Sequence, residues 1–128
     1  MPSWEDYKKI AKSRGALALE LYVVESTPSG DEQLLKATLP DHLAYQKDME
    51  AKGALVLAGP LSDDTGNLMQ GFGLIVYRAR SFEEARSFAE GDPMHKAGAR
   101  SFKLRRWLVN EGSLNITLSL SEQRGAFS

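Results

Sequence analysis

Hydrophobic positions recur along the chain with two different periods, and the switches between them mark out its elements. Leu17, Leu19, Leu21 and Val23 alternate with Ala18, Glu20, Tyr22 and Val24, which predicts a strand over 17–25 with a half-polar second face. STPSGDEQ is turn chemistry, followed by a helical turn around Leu34 to Lys36. From about Leu39 to Lys52 the apolar residues Leu39, Leu43 and Met49 share one stripe of a helix. Thr38 with Asp41 reads as a capping box there, Pro40 is tolerated in the first turn, and Gly53 ends the helix. ALVLAG (54–59) and GFGLIVYRA (71–79) read as two strands joined by a longer hairpin connection. Ser81 with Glu84 opens a second helix, whose stripe is Phe82, Ala85, Phe88 and Ala89 and which stops at Gly91. Asp92 and Pro93 then begin a short turn to Gly98. In SFKLRRWLV (101–109), Phe102, Leu104, Arg106 and Leu108 alternate with Lys103, Arg105, Trp107 and Val109, giving a fourth strand.

The order is βαββαβ with hairpin-joined central strands, the pattern of a ferredoxin-like α+β fold: an antiparallel sheet with helices on one face. Flanking it are an extra N-terminal helix over Trp4 to Ser13 and a C-terminal strand in SLNITLSL. We expect a single domain over residues 1–128, with a core at 17–109 and extensions at 1–16 and 110–128. The uncovered sheet face carries Tyr22 with Trp107, or the set opposite to them. An exposed apolar face of that size predicts a homodimer with the sheets face to face, and the tail strand is placed to pair across it.

Charge and composition narrow the partners. Sixteen Lys and Arg against seventeen Asp and Glu leave a net charge of −1, which provides no basic field for nucleic acid. Without cysteine, thiolate nucleophiles, disulfides and Cys-based metal sites are excluded. No apolar run approaches ~18 residues and the N-terminus has no signal-like apolar segment, so no membrane partner and a cytoplasmic location are expected. No Gly-rich nucleotide loop or G-x-S-x-G pattern is present.

The candidate chemistry lies in DHLAYQKDMEAKG and EGDPMHKAG. His42 sits beside the apolar stripe of its helix, where a solvated surface imidazole would not be. An imidazole, with an unperturbed pKa of ~6.5, both takes and returns a proton near neutrality. A helix N-terminus disfavours the imidazolium and a neighbouring carboxylate favours it, so the two fields would oppose each other. A hydrogen-bonded histidine at the core edge is the plainer explanation. Asp92 is accounted for by helix capping before Pro93, yet its two oxygens allow it to cap and to accept from an imidazole together. His95, one turn on, either lines the same pocket or sits in solvent. Gly59 and Pro60 end a strand where a ligand could approach closely, although a turn explains them too. Arg100, Lys103, Arg105 and Arg106 form a basic run whose members split between two sheet faces, most of them solvated. A metal set of His42, His95 and Asp92 lacks diagnostic spacing, and no metal is expected.

Together, HLAYQKDMEAKG, ALVLAGPLSDDTG, SFEEARSFAEGDP and MHKAG resemble the YciI (YCII) family over about Leu19 to Trp107. The resemblance implies a dimeric α+β barrel, as in muconolactone isomerase, with an active site of one His and one Asp, here His42 and Asp92. The family includes a dehydrochlorinase of a chlorinated hydroxyhydroquinone. The chain departs from the family pattern at His95, at Pro40 and in its two extensions. The expected activity is that of a cofactor-independent lyase or isomerase acting on a small enolisable or cyclic substrate. His42 and Asp92 would be catalytic, and Gly59, Pro60 and His95 substrate-binding. The alternative is a non-catalytic dimer that binds a small ligand or a partner.

Overall fold

The computed structural model describes residues 1–128 as α1 (Trp4–Ser13), β1 (Leu19–Pro28), α2 (Glu32–Ala51), β2 (Leu55–Pro60), β3 (Gly73–Tyr77), α3 (Phe82–Gly91), α4 (Pro93–Lys96), β4 (Arg100–Val109), β5 (Ile116–Ser119) and β6 (Arg124–Phe127). Two compact units emerge, one of residues 20–107 and one formed by residues 1–19 with 108–128.

In the first unit the strand order is β2-β3-β1-β4, with β3 antiparallel to both β1 and β2. The return strand β3 lies between β1 and β2, which is the split βαβ arrangement expected from the element order. Val24, Ile75 and Tyr77 of the sheet meet Met49 of α2 and Ala89 of α3 in the main core, with Phe102 and Leu104 packed against it. Burying a side chain of the size of Val, Ile or Met contributes about 1.5–3 kcal/mol, so this cluster is what holds the helices on one face. Tyr22 lies opposite Tyr77 and its ring stands 6.5 Å from that of Phe82 in α3. It therefore faces the helices. Trp107 falls on the other face, because its position alternates with Phe102 and Leu104; the two aromatic residues do not share a surface.

The helix α2 begins seven residues before the expected start at Leu39. Asp31 is its N-cap, accepting from the Leu34 backbone N–H at 3.0 Å. Thr38 does not cap. Its hydroxyl donates back to the Leu34 carbonyl at 2.7 Å, and Pro40 is accommodated inside the helix. A competing cap two turns too late thus shortens the helix read from sequence. The end is as expected, with Gly53 in the left-handed region at φ +77°. Ser81 caps α3 by accepting from Glu84 N–H at 3.0 Å, while the Glu84 carboxylate reaches back to Arg80 N–H rather than to Ser81.

In the second unit, Ser3 caps α1 by accepting from the Asp6 backbone N–H, and Ala11, Ala18 and Leu108 form a small core with Trp4 and Ala16 packed on it. The tail strand β5 pairs antiparallel with β6 of its own chain, a strand that alternation alone did not reveal. One edge of β5 is thereby occupied without a second molecule.

Candidate active site

His42 and Asp92 are fifty positions apart, and α2 and α4 bring them together. Tyr45 follows His42 by one helical turn, so both side chains leave α2 on one side. Its hydroxyl donates to the Phe88 carbonyl in the last turns of α3 at 2.8 Å. A Cβ on Gly91 would stand 2.8 Å from that hydroxyl. Glycine is what allows the end of α3 to lie against α2, and the next residue is Asp92.

The Asp92 side chain is fully buried. Its Oδ1 accepts from the Met94 backbone N–H at 2.9 Å, capping α4. The His42 Nδ1–H donates to the same carboxylate, 2.8 Å from Oδ1 and 2.9 Å from Oδ2. Capping and imidazole orientation are thus both carried by one group. A carboxylate on Nδ1 holds the proton there and leaves Nε2 as the nitrogen that can take a proton from a ligand. The opposing helix-terminus field expected from the sequence is absent: α2 starts at Glu32, so His42 lies almost three turns inside it, beyond the reach of the N-terminal dipole.

His42 lines a cavity of about 360 Å³, a size suited to a single small ring compound. Leu35, Leu39 and Leu43 of α2 form its roof with Gln46, and Met69, Phe72, Leu74 and Ile75 contribute much of the opposite wall. The apolar stripe of α2 is therefore divided: Met49 enters the core, whereas Leu39 and Leu43 stay exposed above the cavity. Gly59 and Pro60 line it as well, at the end of β2. A larger depression of about 440 Å³ lies by Lys52, Arg78 and Glu84, but no acid–base pair faces it, since Glu84 is engaged by Arg80.

His95 is not in solvent and is not among the residues that line the cavity. Its Nδ1–H donates to the Ala89 carbonyl at 2.7 Å, and its Nε2 lies 2.8 Å from Ser26 Oγ. Burial pushes its pKa below the ordinary histidine value, against the opposing pull of the Ala89 hydrogen bond and of Asp92. A neutral ring then accepts the Ser26 hydroxyl proton. Ser26 Oγ in turn accepts from Arg100 Nε at 2.8 Å, and Arg100 Nη2 donates to the Ser26 and Gly71 carbonyls. Arg100 and Ser26 both line the cavity. Of the basic run, Arg100 is the member that is not merely solvated. The signal for it was available, because Arg100 precedes Phe102 by two positions and so belongs to the inward face of β4. No cluster of three metal-ligating side chains forms anywhere in the chain.

No helix is long and apolar enough to cross a membrane. No curated protein matches the sequence. Among solved structures, 5-chloro-2-hydroxyhydroquinone dehydrochlorinase from Burkholderia phenoliruptrix AC1100, in complex with 2,5-dihydroxybenzoquinone, is similar to this chain with a TM-score of 0.55 and 27% identity. The similarity covers 68% of this chain and 92% of that one, and both share the ferredoxin-like α+β fold. The model of the YCII-related domain matches residues 20–108, the stretch that holds the whole sheet-and-helix core together with His42, Asp92 and the cavity, and the chain belongs to that family.

Proposed function

We propose that this chain is a cofactor-independent enzyme of lyase or isomerase type, in which His42 moves a proton on a small cyclic or enolisable substrate and Asp92 orients and supports it. The observation that carries the proposal is the 2.8 Å contact of His42 Nδ1 with a fully buried carboxylate at the wall of a ring-sized cavity. A plain core-edge histidine needs neither a buried anion behind it nor a void in front. Substrate proton transfer to Nε2 builds positive charge on the imidazole, and Asp92 stabilises that charge without itself taking the proton. Gly59 and Pro60 let the substrate approach the sheet. His95 acts at one remove, through Ser26.

Elimination of hydrogen chloride is one version of this chemistry. In the keto tautomer of the ring, where chlorine sits on a tetrahedral carbon, the substrate proton passes to His42 Nε2, the electron pair it leaves behind forms the new double bond of the product, and chloride departs with the electron pair of the C–Cl bond, so no external oxidant is required. The similar dehydrochlorinase motivates 5-chloro-2-hydroxyhydroquinone as first test compound. Chloride release should exceed the buffer rate, fall on the order of 10³-fold in kcat/KM in His42→Ala and about 10²-fold in Asp92→Asn. Asparagine preserves the cap, so circular dichroism of Asp92→Asn should match that of the parent. Undiminished turnover in His42→Ala would overturn the acid–base assignment. No turnover on this compound or on related chlorinated phenols, with tight binding of 2,5-dihydroxybenzoquinone retained, would instead favour a binding module.

A further inference from the structure

Arg100 is the one formal charge on a cavity wall made otherwise of apolar side chains, glycines, Ser26, Gln46 and the His42 ring. No aspartate or glutamate lines the cavity, and Arg100 forms no ion pair. Its three hydrogen bonds go to neutral oxygens: Ser26 Oγ, the Ser26 carbonyl and the Gly71 carbonyl. These occupy Nε and Nη2. The two N–H groups of Nη1 have no protein acceptor. Asp92 is the carboxylate whose charge reaches the guanidinium, but it acts from beyond ion-pair distance and is itself engaged by His42 and the Met94 N–H. A guanidinium partly drawn out of water and compensated only at a distance is completed by an anionic ligand.

The groups in contact with the guanidinium hold it in place and are themselves neutral. Ser26 spends its hydroxyl proton on His95 Nε2, which leaves the oxygen lone pairs for Arg100; His95 spends its own proton on the Ala89 carbonyl. Gly71, at φ +93°, turns its carbonyl toward Nη2. Gly73 carries no side chain to cover the guanidinium, and a Cβ there would stand 3.6 Å from Nη2.

We propose that Arg100 is the anion-binding residue of this cavity and that the substrates are small ring or enol compounds bearing a conjugated oxyanion, a carboxylate or an ionised acidic hydroxyl, seated on Nη1 while the reacting group meets His42. This rests on the acid–base reading of the same cavity. Ser26 and His95 are positioning residues for Arg100.

Two anions serve as probes, each against an uncharged counterpart: 2,5-dihydroxybenzoquinone against 2,5-dimethoxybenzoquinone, and benzoate against benzamide. Calorimetric titration should show at least one anion binding tenfold or more tightly than its counterpart. Arg100→Gln should erase that preference and leave the uncharged compound unchanged, and Ser26→Ala should weaken the anion several-fold while sparing the neutral one. If Arg100→Gln fails to fold, the side-chain Nε–H resonance of Arg100 in the parent protein, assigned with Arg100→Lys, should shift on adding the anion and stay fixed on adding its counterpart. Equal affinity for charged and uncharged probes, no saturable binding of either anion, or an unmoved Arg100 resonance would overturn the proposal. Anion binding lost in Arg100→Gln, without His42-dependent turnover of any bound anion, would leave Arg100 in place and remove the acid–base reading. His42-dependent turnover with equal kcat/KM in Arg100→Gln would do the reverse.

Discussion

At the scale of single residues, the site depends on which histidine is tied to what. His42 and His95 are the two histidines of the chain, and both have Nδ1 engaged, one on a carboxylate and the other on a backbone carbonyl. Asp92 sets a full negative charge against the His42 ring, whereas the Ala89 carbonyl offers His95 a dipole alone. His95 is instead kept neutral, chiefly by burial, with Arg100 and His42 adding to that effect and the Ala89 carbonyl and Asp92 opposing it; the Phe102 ring, 4.8 Å away, offers no solvation. A histidine whose folded pKa lies below its unfolded value binds fewer protons when folded. Stability from His95 is therefore complete above about pH 6.5 and is lost as the pH falls below that value toward the depressed folded pKa. His95→Gln, which can still donate to Ala89 and accept from Ser26, should flatten the acid limb of the stability curve. The difference is at most one proton, about 1.4 kcal/mol per pH unit, read from urea unfolding between pH 7 and 5. Parallel curves for parent and variant would contradict the neutral, buried ring.

At the scale of elements, Gly91 sets how close α3 can come to α2. Alanine is favoured over glycine in helices by roughly 1 kcal/mol, so Gly91→Ala would stabilise an isolated α3. Here the added methyl meets Tyr45 Oη, which is itself tied to Phe88. Overpacking of this kind costs about 1–3 kcal/mol, so we expect net destabilisation in urea titrations and a matching loss of His42-dependent activity as Asp92 is pushed away. Adding Tyr45→Phe should recover part of the stability, because it removes the atom in conflict. Much of this geometry was open to a reader of the sequence: the Gly-Asp-Pro triplet announces a helix stop, a cap and a first-position proline. The contact with Tyr45 was not, since nothing in either local pattern relates position 45 to position 91. The start of α2 failed for another reason. Thr38 and Asp41 have the chemistry of a cap but also tolerate a helix interior, and Asp31 won.

At the scale of the whole molecule, the sheet of the first unit has helices on one face. On the other stand Leu57 and Trp107, 64% and 44% exposed. We expect this face to join two copies, as the family resemblance implies. Sedimentation velocity should then show a dimer at micromolar concentration, and Trp107→Glu should shift it toward monomer without changing the circular dichroism spectrum. A parent protein that sediments as a monomer at high concentration would refute the face-to-face arrangement. The pairing of β5 with β6 occupies one edge of the tail strand within its own chain.

Taken by itself, the order of residues determined the types and succession of the core elements over 17–109 and hence the ferredoxin-like fold, because side-chain period and cap chemistry act between neighbours in the chain. His42 stood out against its own helix, whereas capping accounted for Asp92 and its pairing with His42 was what the resemblance to the YciI family implied. Only the tertiary structure decided that their side chains meet, that His95 turns from the cavity to Ser26, and that Arg100 stands unpaired by any carboxylate at the cavity wall. Those outcomes depend on distances between positions 26, 42, 71, 92, 95 and 100, which strand order and helix packing set and which no local period encodes.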